Sequence, residues 1–86
     1  MHFQGAVVRE QGQTFAVVVV RQHVLDNRTE AAEAMAAFVP AFPGMPIVLM
    51  AQDSCGRPRY RGRPDIARFL ASIPMTAIPW RDYTTN

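Results

Sequence analysis

Hydrophobic positions in this chain repeat with two different periods. Phe3 to Arg9 and Gln13 to Gln22 are rich in Val and Phe, with Glu10-Gln11-Gly12-Gln13 between them. Two such blocks around a polar, Gly-containing link predict two strands and a tight hairpin, with Gly12 able to take a positive φ. Arg9 comes opposite Thr14 whether the loop holds two or four residues. Alternation then sends Ala6, Val8, Phe15, Val17 and Val19 to one face, and Phe3, Val7, Ala16, Val18 and Val20 to the other. Both faces are apolar, so the second strand is expected to be central, with cover on each side.

The period lengthens after Asp26. Ala31, Ala34, Met35 and Phe38 recur at helical spacing. Asn27 stands three residues before Glu30, the pattern of a capping box, and Pro40 stops the helix. Pro46 to Gln52 predicts a third strand, with Ile47, Leu49 and Ala51 on one side and Val48 and Met50 on the other. Asp53-Ser54-Cys55-Gly56 reads as a turn and Arg57 to Gly62 as a fourth strand. Pro58 lacks an N–H, which places that strand at an edge. A four-residue turn sets Arg57 opposite Gln52, Arg59 opposite Met50 and Arg61 opposite Val48. Tyr60 then joins the face of Ile47, Leu49 and Ala51. Pro64 opens a second helix at its favoured first position, with Ile66, Phe69, Leu70 and Ile73 as its stripe and Pro74 as its end. The tail from Ile78 to Tyr83 is too aromatic for solvated coil and is expected to pack back.

The order ββαββα predicts an α+β domain over residues 1–86: a two-layer sandwich, with a four-stranded mixed sheet and two helices on one face. Strand two, the first helix and strand three form a right-handed parallel unit. Sheet order 1-2-3-4 is favoured over 2-1-3-4. Helices on one face leave the other open, to be covered by the tail or by a second copy. Met50, Trp80 and Tyr83 are therefore candidates for an interface or for packing.

Charge sharpens one segment only. All nine basic residues are Arg, a bias that a GC-rich bacterial genome produces by itself. Residues 56–70 hold five arginines and one aspartate, so the basic character is local. Within it Arg57, Arg59, Arg61 and Arg63 alternate, and an extended strand lines their guanidinium groups up on one face. Such a row is a candidate anion site, because guanidinium offers a planar fork of donors. Its plainer reading is a charged edge that blocks strand-to-strand aggregation. Nucleic acid is disfavoured, since there is no RNP-like, zinc-finger or helix-turn-helix pattern.

Other chemistry is sparse. Cys55 is the only cysteine, which excludes an internal disulfide. Cys55 and His23 form the one nucleophile–base pair to consider for an enzyme. His2, His23 and Asp26 match no known metal-site spacing. No Gly-rich phosphate loop is present, and no cofactor is expected. Pro40, Pro43 and Pro46 read as a stiff connector. The apolar run from Phe15 to Val20 is too short to span a bilayer, and no secretion signal is visible, so the expected location is cytoplasmic. The function expected is a non-enzymatic binding or interaction module with a basic edge strand. The alternatives are a structural or accessory homodimer subunit, or a small enzyme using Cys55 or His23.

Overall fold

A computed structural model describes residues 2–10 and 12–84. It is an α+β protein. Among the described residues, five strands form one mixed sheet: β1 (His2–Glu10), β2 (Gln13–Val19), β3 (Ile47–Gln52), β4 (Pro58–Arg61) and β5 (Arg81–Thr84). Three α-helices accompany it: α1 (Gln22–Asp26), α2 (Arg28–Phe38) and α3 (Pro64–Ala71). Two 3-10 turns, Val39–Ala41 and Met75–Ala77, complete the elements among the described residues. No helix among the described residues is long and apolar enough to cross a membrane.

The strand order is β4-β3-β2-β1-β5. The favoured order of the first four strands is therefore observed, with β2 and β3 parallel and central. The tail does pack back, but as a fifth strand antiparallel to β1, with Tyr83 beside Phe3. The first hairpin has the expected register, with Arg9 opposite Thr14 and Ala6 opposite Val17.

The helices do not share a face, contrary to the two-layer expectation. Leu25 of α1, with Ala31 and Phe38 of α2, packs with Ala16, Val18, Leu49 and Ala51. Ile66 and Leu70 of α3 pack with Ala6, Phe15, Val17, Val48 and Met50 on the opposite side. The reason lies in β2 and β3. Val17, Val18, Val48 and Leu49 are fully buried, each contributing roughly 1.5–3 kcal/mol. Consecutive residues of a strand point to opposite faces, so burying all four requires cover on both sides. The face expected to be open is covered by α3 and by Ile78.

Local signals act where anticipated. The Asn27 side chain accepts from the Glu30 amide at 2.9 Å and caps α2, an interaction typically worth about 1 kcal/mol. Pro64 occupies the first turn of α3, and β4 lies at the sheet edge. The second strand ends earlier than expected, because Gln22–Asp26 coils into α1 and buries Leu25.

The β3–β4 register is the other correction. Gln52 pairs with Pro58, Met50 with Tyr60, Ala51 with Arg59 and Leu49 with Arg61. Asp53 faces Arg57 across the turn: its amide donates to the Arg57 carbonyl at 2.9 Å. Asp53 Oδ1 accepts from the amides of Cys55 and Arg57, both at 2.9 Å. Gly56 takes φ +80°. The loop thus holds three residues, Ser54–Gly56, a length favoured when the last can adopt a left-handed conformation. A one-residue slip reverses every side chain. Tyr60 therefore lies on the α3 face, and Arg59 and Arg61 lie on the α1–α2 face.

Candidate functional site

The slip decides what the arginines do. Arg59, carried toward α1, contacts Asp26 Oδ1 at 2.7 Å. Arg61 donates from Nη1 to the Leu25 carbonyl at 3.0 Å. That carbonyl belongs to the last turn of α1, where backbone acceptors lack intrahelical partners, so Arg61 caps the helix. Arg63 turns to the other helix and holds Asp65 through two hydrogen bonds of 3.0 and 2.6 Å. With its amide set to match this neighbour, Gln13 also accepts from Arg63 at 2.8 and 2.9 Å. Arg57 sits 3.7 Å from Asp53 with 78% of its side chain exposed. The row is therefore a set of straps from one edge strand to its own turn, to α1 and to the start of α3.

Two carboxylates respond to this arrangement. Asp53 is held below the ordinary value by the amide of Arg57 first and that of Cys55 next, against desolvation. Asp65 is lowered chiefly by its hydrogen bond to Arg63.

The structure does not assemble Cys55 and His23 into a pair. Cys55 is exposed in the β3–β4 turn, His23 is exposed near the start of α1, and no hydrogen bond joins them. Among the described residues no three His, Cys, Asp or Glu side chains gather into a metal-holding group. His2 Nδ1 lies 3.2 Å from Thr84 Oγ1, both exposed. Asp82 lines the same hollow, and among the described residues no hydrogen bond joins it to the ring.

Met50, Trp80 and Tyr83 are divided by the sheet. Tyr83 stacks on Phe3 at 5.3 Å, nearly parallel, and meets Phe42 edge-on at 5.2 Å, closing the α2 face over β1 and β5. Met50 and Trp80 come together on the α3 face. With Gln4, Val19, Gln52 and Met75 they line a groove of 180 Å³ at the carboxyl ends of the two parallel strands. Trp80 Nε1 donates to the Met75 carbonyl at 3.0 Å, which fixes the indole as one wall. The thioethers of Met50 and Met75 supply a deformable floor and lip. Gln4 and Gln52 are exposed and provide amides at the rim. Gln4, Val19 and Met75 are lining residues that sequence reasoning missed. They belong to three separate elements, and no pattern along the chain links them.

No protein-family model matches the chain, no curated protein matches it, and no solved structure matches it. The functional reading therefore rests on the geometry alone.

Proposed function

We propose that the chain is a non-enzymatic interaction module that takes an apolar side chain of a protein partner into the Met50–Met75–Trp80 groove. The observation that carries this reading is the groove's lining: two methionines, a valine and a tied-back tryptophan, with two neutral amides and, among the described residues, no ionisable group. Catalysis needs converging groups that hold or move a proton, whereas an apolar floor with a polar rim suits recognition. The volume agrees, because pockets for small-molecule ligands run to roughly 300–1,000 Å³. A groove of 180 Å³ is closer to the size of one or two side chains. Binding of a free anion by the arginine row is the weaker reading, since Arg59 is already ion-paired with Asp26 and Arg61 and Arg63 already donate within the molecule.

Trp80 is the only tryptophan, so its indole N–H resonance reports the groove without ambiguity. Titration with short peptides carrying a single central Leu, Met or Phe should shift that resonance and the methyl signals of Met50 and Met75 saturably. Met75→Glu, at the half-buried lip, should abolish the shifts and leave the fold intact. If the resonance moves with protein concentration instead, sedimentation will identify a second copy as the occupant. Peptide shifts confined to other surfaces would refute the groove as the site.

A further inference from the structure

Two thioethers line one hollow. Met50 and Met75 share the groove with Trp80, and among the described residues no carboxylate, imidazole or thiol lines it with them. Met35 and Met45 lie on the other face of the sheet, against the core of α1 and α2. Among the described residues, Met50 and Met75 are thus the pair of soft donors that the fold brings to one opening.

Both donors are held from behind. Met50 lies within β3, between Val19 on β2 and Tyr60 on β4, and only 3% of it is exposed. Met75 opens the second 3-10 turn, and its carbonyl accepts twice. One donor is the Ile78 amide at 3.2 Å and the other is Trp80 Nε1 at 3.0 Å. A single carbonyl therefore ties the backbone of Met75 to the indole of Trp80. The main chain of each methionine is set before anything binds. What remains free to adjust is an unbranched side chain ending in a polarisable sulfur.

Ligand softness decides which ion such a lining takes. Calcium and magnesium require oxygen donors, chiefly carboxylates. Zinc is held by thiolate, imidazole or carboxylate. Thioethers select copper(I). Charge points the same way. The lining offers no anion to neutralise a divalent ion, whereas a monovalent ion needs less compensation. The indole supplies part of it, because a tryptophan face attracts a cation within about 6 Å of its centroid, and more strongly where water is excluded.

We infer that the groove binds a soft monovalent cation, copper(I), through the sulfurs of Met50 and Met75, with the Trp80 ring as a third, cation–π contact. No electron changes hands, since the ion enters and leaves as copper(I). The ion and an apolar side chain of a partner are alternative occupants of one space, and neither reading depends on the other.

The test uses Cys55→Ser protein, which removes the exposed competing thiol. Silver nitrate in chloride-free buffer is the probe, an ion of the same softness that keeps its oxidation state. Silver should shift the methyl resonances of Met50 and Met75 together in one saturable step and quench Trp80 emission, and zinc should do neither. Met75→Leu keeps an apolar side chain of similar volume at the half-buried lip and removes only the sulfur. It should weaken silver binding by at least about tenfold, since even groups that merely orient a ligand cost that much. Undiminished silver binding in Met75→Leu would overturn the inference, as would equal shifts with zinc. Silver shifts confined to His2 and His23, with the methionine methyls unmoved, would overturn it too. Peptides carrying Leu, Met or Phe should still bind Met75→Leu, so failure of the metal site and failure of the peptide site are read separately.

Discussion

Gly5→Ala tests whether the sheet leaves room at its most crowded junction. Gly5 lies opposite Val18 on β2 and Arg81 on β5. A Cβ there would sit 2.8 Å from the Val17 carbonyl oxygen, with the Tyr83 and Phe3 rings at ordinary contact distances of 3.5 and 3.6 Å. The clashing atom is backbone on a central strand, so it cannot rotate away. It retreats only by disturbing the pairing of Val18 with Leu49. Overpacking of this kind costs about 1–3 kcal/mol, with the upper half expected where backbone must move. Against it, Gly5 has no positive φ, so alanine gains about 0.4–1 kcal/mol by restricting the unfolded chain. Subtracting one from the other leaves a loss of about 1–2.6 kcal/mol. In a domain of this size each kcal/mol lowers Tm by about 4–8 °C. Urea and thermal melts measure it. An unchanged or raised midpoint would show that the strain term is wrong and that β1 shifts freely between its neighbours.

Arg61→Gln should raise amide exchange in α1 and cost about 1 kcal/mol, because the half-buried Leu25 carbonyl loses a charged donor that water replaces only in part. Arg59→Gln should cost less than about 1 kcal/mol, as exposed pairs do; equal effects of the two on α1 exchange would count against the helix-capping role of Arg61. The β3–β4 turn should loosen in acid. Asp53 is lowered in the folded state, so its contribution is present above the ordinary carboxylate value of 3.8 and is lost as pH falls through the lower folded value. Exchange at the Cys55 and Arg57 amides should accelerate over that range, and Asp53→Asn should remove the dependence; an unaltered pH profile in Asp53→Asn would assign it to another group.

Much of the fold was legible because it is written in local terms. Alternation marked β1, β2 and β3, Asn27 and Glu30 marked the start of α2, and Pro58 and Pro64 marked an edge strand and a helix start. These are properties of residues a few positions apart, where sterics and hydrogen bonding decide the outcome. The two-sided apolar pattern of β2 and β3 also foretold that each face needs cover. It did not say which element covers which face, because an amphipathic stripe such as Ile66–Leu70 fits either side equally well. The candidate site was far less legible. Whether the arginines line an open surface or strap α1 and α3 turned on a single residue in a loop. That residue was placed by Asp53 accepting two amides and by Gly56 in the left-handed region. The groove of Gln4, Met50, Met75 and Trp80 and the β1–β5 seam bring together residues far apart in the chain. Their approach depends on the order β4-β3-β2-β1-β5. Sequence by itself determined β1 to β4, α2 and α3, whose causes are short-range, but not α1 or β5, which form where Leu25 finds a core and the tail finds the β1 edge. The surfaces available for recognition were decided only when non-local pairing set the register and the faces, because one step of register reverses every side chain on a strand.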